Sequence, residues 1–298
     1  MIQSAQTSEP RSTPQNGAPS PEVQDRPLTV QSFGLTDRGL ERATNEDQFV
    51  TATLTRALWI EQSSLTQSGV HYADVRGHVF IVADGVGGAA GGEKASALAV
   101  SAIEDFLLNA IRWLLTLDGS EEASVLRDFK AALRSADACV YAAADNDPGL
   151  RGMGTTLTMA YSCGADLFVA HVGDSRCYLL RGGALQRLTR DDTLVQQMVE
   201  SGILPPERAA VHDLRHVITN VVGGTTPGVH TEVHRMRLEP GDVLLLCTDG
   251  LTGMLPDDRI AAVLEASSSP TSACEQLVLL ANEQGGKDNV TVIVARYS

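Results

Sequence analysis

Basic residues are scarce in this 298-residue chain: 23 Lys and Arg stand against 37 Asp and Glu, a formal net charge of −14. Proteins that grip nucleic acid neutralise phosphates with clustered cations, and docking on anionic membranes needs the same clusters. Neither partner is expected. Long apolar runs are missing too. No stretch reaches the roughly 18 uninterrupted apolar residues of a membrane span. The nearest, 103–117, is broken by Glu104, Asp105, Asn109 and Arg112 and reads as an amphipathic helix. No basic start followed by an apolar stretch marks the first residues, so a secretory signal is not expected. Cysteine is sparse: Cys139, Cys163, Cys177, Cys247 and Cys274 form no CxxC pair and are odd in number. That argues against a zinc site or a disulfide framework, and Cys163, Cys177 and Cys247 sit in apolar runs as small buried hydrophobes do. A reducing cytoplasm is the expected setting, and nothing demands more than a monomer.

Proline is concentrated at one end. Pro10, Pro14, Pro19, Pro21 and Pro27 lie among Ser, Thr, Gln and Asn, a composition that cannot offset its own ordering entropy. Residues 1–28 are expected to be a disordered tail and 29–298 a single domain. Strand-like runs open that domain at Thr29–Leu35, Gln48–Leu54 and His78–Ala83, with the polar segment Thr55–Gly77 expected as an irregular surface insertion. Two helices follow. In the first, Ala95, Leu98, Ala99, Ala102, Ile103, Phe106, Leu107, Ala110, Ile111 and Leu114 recur at helical spacing. The second runs from Ser120 to the Asp147-Pro148-Gly149 stop, with Leu126, Phe129, Leu133, Ala136 and Val140 on one face.

Strands return at Thr155–Ser162, Leu167–Val172, Cys177–Arg181 and Ala184–Leu188, and Thr193–Val211 reads as helical around Pro205-Pro206. Further strands are expected at Leu214–Asn220, His230–Arg237 and Val243–Cys247. A second helix pair, Asp257–Ala266 and Thr271–Gln284, precedes a last strand at Val290–Arg296. Helices arriving in pairs between runs of strands do not make alternating βαβ units. The economical packing is an α+β fold: a four-layer αββα sandwich of two antiparallel sheets, each covered by a pair of antiparallel helices.

Three buried-looking strands end on Asp: Val79–Ala83 runs into Asp84-Gly85, Leu167–Gly173 into Asp174-Ser175-Arg176, and Val243–Thr248 into Asp249-Gly250. One Asp-Gly after a strand is ordinary turn chemistry. Three of them are joined by Glu46 and Asp47 at the start of another strand and by Asp288 before the last one. Carboxylates gathered at sheet ends repel one another unless protonated or neutralised by cations, and all-oxygen clusters suit Mg²⁺ or Mn²⁺. Two such ions about 3.5–4 Å apart activate water for in-line attack on phosphate. Arg42, four residues before Glu46, is the natural guanidinium to hold phosphate oxygens. His230 and His234 share a strand face in this reading and are expected as exposed polar surface.

Six segments resemble, in order, the motifs of the metal-dependent serine/threonine protein phosphatases of type 2C, in their compact bacterial form. They are Thr36-Asp37-Arg38-Gly39 through Arg42-Ala43-Thr44-Asn45-Glu46-Asp47, Val82-Ala83-Asp84-Gly85-Val86-Gly87-Gly88, Gly152-Met153-Gly154-Thr155-Thr156-Leu157, Val172-Gly173-Asp174-Ser175-Arg176, Leu246-Cys247-Thr248-Asp249-Gly250-Leu251 and Lys287-Asp288-Asn289-Val290-Thr291. The resemblance implies hydrolysis of phosphoserine and phosphothreonine in proteins by a hydroxide bridging two Mn²⁺ or Mg²⁺ ions. It implies that Asp84 bridges both ions and the Gly85 carbonyl helps bind one. Asp249 and Asp288 would complete one site; Asp47, or Glu46 through water, would serve the other. Asp174 matches a position associated with a third, weaker ion, Arg42 the phosphate-binding Arg, and 191–215 a variable flap beside the active site. Phosphorylated proteins and a serine/threonine kinase pathway are the implied partners. Val86 stands where many eukaryotic members carry a proton-donating His, and Val cannot transfer a proton.

Two rivals remain in view. Gly85-x-Gly87-x-x-Ala90 superficially fits a dinucleotide fingerprint, but Asp84 would set a carboxylate against the pyrophosphate and Glu104 falls inside a helix. A catalytically inactive phosphoprotein-binding scaffold is the other, and the retention of every metal carboxylate argues against it.

Overall fold

The run Val79–Ala83 shows what an all-apolar strand requires. Val79, Ile81 and Ala83 belong to one core and Phe80 and Val82 to another, the two-residue alternation of a strand buried on both faces. The computed structural model describes residues 28–62, 69–87, 91–109, 122–209 and 211–298. In chain order the first elements are β1 (Val30–Asp37), β2 (Asp47–Ile60), β3 (Gly69–Val86), α1 (Gly91–Asn109) and α2 (Glu122–Asn146). Then come β4 (Gly154–Thr155), β5 (Leu157–Cys163), β6 (Asp166–Val172), β7 (Arg176–Arg181), β8 (Ala184–Arg187), α3 (Leu194–Glu200) and α4 (Pro206–Ala209). The chain continues through β9 (Val222–Gly223), β10 (Glu232–Arg237), β11 (Val243–Cys247), α5 (Asp249–Thr252), α6 (Asp257–Ala266), α7 (Pro270–Glu283) and β12 (Val290–Tyr297).

The strands form two antiparallel sheets. One has the order β1-β12-β11-β7-β8; the other runs β10-β6-β5-β3, with β2 on the far side of β3 and the short β4 and β9 continuing from its end. Three apolar layers hold four structural layers together. Ala95, Ala99, Ile103, Phe129, Leu133 and Ala136 of α1 and α2 pack on the β3 sheet. Phe80 and Val82 meet Leu179, Leu244, Leu246 and Ile293 between the sheets. Ile260, Leu264, Leu277 and Ala281 of α6 and α7 cover the outer face of the β11–β12 sheet. The αββα sandwich expected from helix pairing is the architecture observed. Ser269 starts α7 with a reciprocal capping box to Ser272, followed by Pro270. Past its end, Gly286 takes φ 52°, which L side chains rarely adopt, and its carbonyl receives the Leu40 N–H at 2.7 Å.

Four expectations need correction. Thr55–Gly77 is not an irregular insertion: β2 and β3 continue as a paired ribbon through Thr55↔Arg76 to Ile60↔Gly69, with a bulge between Thr55 and Ala57. Its described side chains are largely exposed, so it has no burial pattern to betray a strand. Leu214–Asn220 is not a strand; only Ile218 pairs, in a single bridge to Thr193. The strand expected from His230 starts at Glu232, leaving His230 outside it, while His230 and His234 are both exposed. The expected helix over Thr193–Val211 is the two short helices α3 and α4. The tail expected over residues 1–28 lies, but for Leu28, outside the described residues, as do Ala110, Ile111 and Leu114 of the first helix and Gly88 of the second motif.

Candidate metal and phosphate site

Antiparallel pairing carries the acidic residues to one end of the sandwich. Asp47 opens β2 directly opposite Asp84 near the end of β3. Cys247, two residues before Asp249, pairs with both Val292 of β12 and Arg176 of β7. The end of β11 therefore lies beside the start of β12, which Asp288 precedes, and the start of β7, which Asp174 precedes. Glu46, Asp84, Asp174, Asp249 and Asp288 line one cavity of about 710 Å³ with Arg42, Gly85 and Val86. All eight residues expected at the site are thus brought together, Asp47 lying buried behind the cavity wall.

The backbone around them is tightly specified. The Asp84 N–H donates to Thr156 Oγ1 at 2.9 Å, and the Asp84 carbonyl accepts from Thr156 N and Thr155 Oγ1, each at 2.9 Å. Gly85 has no room for a side chain: a Cβ there would run into the Gly92 carbonyl and stand 2.8 Å from the Glu46 carbonyl. Gly92 is as confined, because a Cβ there would meet both the Glu46 carboxylate and the Gly85 carbonyl, which places these two oxygens side by side. Asn289 organises a second corner. Its Oδ1 accepts the Glu46 N–H at 2.8 Å, and its Nδ2 donates to the carbonyls of Arg38 and Thr44, both at 2.9 Å.

The electrostatics are those of crowded carboxylates. Asp47 Oδ2 accepts from Thr248 Oγ1 at 2.8 Å and Thr291 Oγ1 at 2.7 Å. Burial nonetheless pushes Asp47 up to about 7, with Asp249 and Asp288 adding to it. Burial holds Asp84 well above the usual carboxylate range, reinforced by Asp47, Asp249, Asp174 and Asp288. Asp174 is pushed up to about 8, by burial and then by Asp249 and Asp191. Glu46 is raised mainly by burial. Arg42 answers this charge closely: its Nη2 lies 2.6 Å from Asp288 Oδ2, a bond that raises the guanidinium's own pKa.

Asp47 Oδ1, Asp174 Oδ1 and Asp249 Oδ1 are buried without a hydrogen-bond partner, a state that normally costs a few kcal/mol per charged group. Among the described residues no three His, Cys, Asp or Glu side chains already close into a ready-made metal cage. The donor set is all oxygen, anionic and under-coordinated, so it fits a hard divalent cation and not zinc.

Some contributors escape sequence reasoning. Thr248 and Thr291 hold Asp47, and their only sequence signal is adjacency to the Asp249 and Asp288 motifs. His171 is fully buried: Thr158 Oγ1 lies 2.8 Å from its Nδ1, and its Nε2 lies 3.0 Å from the carbonyls of both Gly173 and Arg190. It joins the loop before Asp174 to the root of the 191–215 segment. That root is closed by Leu194 N–H to the Val217 carbonyl (2.8 Å) and Thr219 N–H to the Asp192 carbonyl (2.7 Å). Arg215 and His216 beyond it reach the cavity, with His216 Nδ1 3.8 Å from Asp249 Oδ2.

Solved structures similar to this chain include bacterial serine/threonine phosphatases. The crystal structure of the Mycobacterium tuberculosis serine/threonine phosphatase PstP/Ppp superposes with a TM-score of 0.72 at 33% identity, over 90% of this chain and 98% of that one. The catalytic domain of the serine/threonine protein phosphatase PstP in complex with two manganese ions superposes at 0.70 and 32%, over 91% and 99%. The family follows from the sequence itself: a model of Protein phosphatase 2C matches residues 60–284, and the chain belongs to that family. Serine/threonine protein phosphatase PstP of M. tuberculosis is 37% identical over 269 residues, 90% of this chain, of which the chain spans only 45%.

Proposed function

We propose that the protein hydrolyses phosphoserine and phosphothreonine in other proteins with the help of two divalent cations, Mn²⁺ or Mg²⁺, and in some states a third. The observation that carries this reading is the set of buried, partnerless oxygens on Asp47, Asp174 and Asp249 at one sheet end. When bound, the ions would offset the acidic charge and supply a water acidic enough to attack phosphorus near neutral pH.

The chain's own groups do the rest. Asp84, with partial exposure to the cavity and its backbone fixed by Thr155 and Thr156, would be a ligand shared by the two ions. Asp249, Asp288 and the Gly85 carbonyl would help hold one ion. Asp47, oriented by two threonine hydroxyls, and Glu46 through water would serve the other. Asp174 would serve a third. Arg42 is exposed enough to swing from Asp288 to a phosphate and offers the planar fork that phosphate oxygens match. Val86 at the lip moves no proton, so the leaving alkoxide takes one from solvent.

Substrates would come from a serine/threonine kinase pathway. No helix among the described residues is long and apolar enough to cross a membrane; a single-chain enzyme working in the cytoplasm completes the proposal. The deciding experiment is turnover of an aryl phosphate and of phosphoserine and phosphothreonine peptides with and without Mn²⁺ or Mg²⁺. Activity should require the metal and vanish in Asp84→Asn and Asp249→Asn while both variants stay folded. Metal-independent turnover, or full activity in both variants, refutes the mechanism; phosphopeptide binding without turnover favours the inactive scaffold.

A further inference from the structure

A second groove, of about 630 Å³, opens off the cavity and shares Asp174, Arg215, His216, Asp249, Gly253 and Met254 with it. One wall is built by Val195, Val199 and Pro206 of the 191–215 segment, the other by Met254, Leu255 and Pro256 beyond α5. Its charges balance, three arginines against Asp174, Asp191 and Asp249, on a chain that is acidic as a whole. Arg176, Arg187 and Arg215 line it, and Asp191 is already shared by two of them. Arg176 holds it in a fork at 2.9 and 2.7 Å, and Arg187 Nη1 stands 3.3 Å away. Asp174 and Asp249 belong to the acidic floor assigned above to cations. Arg215 is left over. It is exposed, its Nη1 donates only to the His212 carbonyl at 3.3 Å, and no carboxylate among the described residues pairs with it.

We propose that this groove receives the stretch of phosphoprotein flanking the phosphorylated residue, and that Arg215 selects an acidic side chain in that stretch. The inference rests on the phosphatase reading and deepens it by naming a substrate class. Continuity with the cavity means that a chain whose phosphorylated side chain reaches the acidic floor must leave along a neighbouring surface, and the groove is such an exit. Apolar walls accept the flanking backbone and side chains. The surplus guanidinium gives the direction of selectivity, because on a protein of net charge −14 an acidic segment is repelled elsewhere and attracted here.

The test compares two phosphothreonine peptides identical but for Glu or Gln at the flanking positions, with the full chain in Mn²⁺. Turnover gives kcat/KM, and fluorescence anisotropy of labelled peptides gives binding without turnover. Wild type should favour the Glu peptide by about fivefold, the worth of one well-placed ion pair, expressed in KM and weakened by salt. Arg215→Gln should bring the ratio close to one, and Arg215→Lys should retain part of it. Equal affinity for both peptides in wild type overturns the proposal. So does a preference that survives Arg215→Gln. An equal loss on both peptides in that variant assigns Arg215 to the phosphoryl group and overturns it too. Turnover without selectivity defeats the groove alone; charge-selective binding without turnover supports the groove and defeats the phosphatase reading.

Discussion

Replacing Asp84 with Asn keeps the side chain's shape and deletes one charge from the group it forms with Asp47, Asp174, Asp249 and Asp288. In the metal-free protein that should stabilise the fold. Asp47 is pushed up to about 7 from 3.8, a difference of 7 − 3.8 = 3.2, and each tenfold change in proton affinity is worth ~1.4 kcal/mol. The ceiling for that one group is about 4 kcal/mol above pH 7. Burial, Asp249 and Asp288 set that figure for Asp47, whereas Asp84 itself is held up by burial and by Asp47, Asp249, Asp174 and Asp288. Deleting its charge should relieve about 2 kcal/mol, the order of one unpaired buried group, or ~4 °C in Tm for a chain of this size.

The sign with pH follows from linkage. A carboxylate whose pKa is higher folded than unfolded holds its proton more tightly in the folded state. Its stabilising contribution is complete below the unfolded value and is lost as pH rises through the folded one, about 7 for Asp47 and about 8 for Asp174. Wild type should therefore melt progressively lower as pH climbs from about 4 to about 8, and the variant should decline less. Mn²⁺ at about 100 times its Kd adds ~2.7 kcal/mol to wild type and far less to a variant missing the bridging ligand. Thermal melts should thus change order: the variant above wild type in chelator, below it in Mn²⁺. A variant that melts below wild type in both media refutes the crowding argument.

Two further substitutions probe the same site. Arg42→Ala should raise KM for an aryl phosphate by about tenfold, a charge-assisted bond's worth, with a smaller drop in kcat; a loss confined to kcat contradicts a ground-state phosphate contact. Gly85→Ala sets a methyl against the Gly92 and Glu46 carbonyls and should cost about 2–3 kcal/mol in urea unfolding together with Mn²⁺ affinity by calorimetry. Unaltered stability shows that the backbone there can yield.

Layering was legible in the chain because burial leaves a trace: Val79–Ala83 and Val243–Cys247 are apolar throughout, and α1 and α2 carry apolar faces. Asp84, Asp174 and Asp249 were legible because each sits one or two residues beyond such a run, and Glu46, Asp47 and Asp288 because each stands just before or at the start of a strand-like one. Segments without a burial gradient were not. The outer ribbon of β2 and β3 is a strand pair exposed to water, so neither alternation nor apolar content marks it. Leu214, Val217 and Ile218 look like strand residues, yet Leu214 and Val217 are exposed turn positions. The one-turn helix α5 is too short for any period. Support from Thr248, Thr291 and Asn289 is a matter of three-dimensional proximity, which one sequence read along its length does not display.

The oxygen that steadies Asp47 comes from Thr291, 244 positions further along, and its companion from Thr248, 201 positions away. A ribosome making this chain must therefore add 201 residues beyond Asp47 before the first of these hydroxyls exists. Until then the site lacks these hydroxyls and the carboxylates of Asp249 and Asp288, so no early fragment holds it complete. Contacts of such sequence separation make for slow closure, so metal competence should arrive in one late step, with the pairing of β12, and a chain interrupted anywhere before that strand should bind no ion at this position.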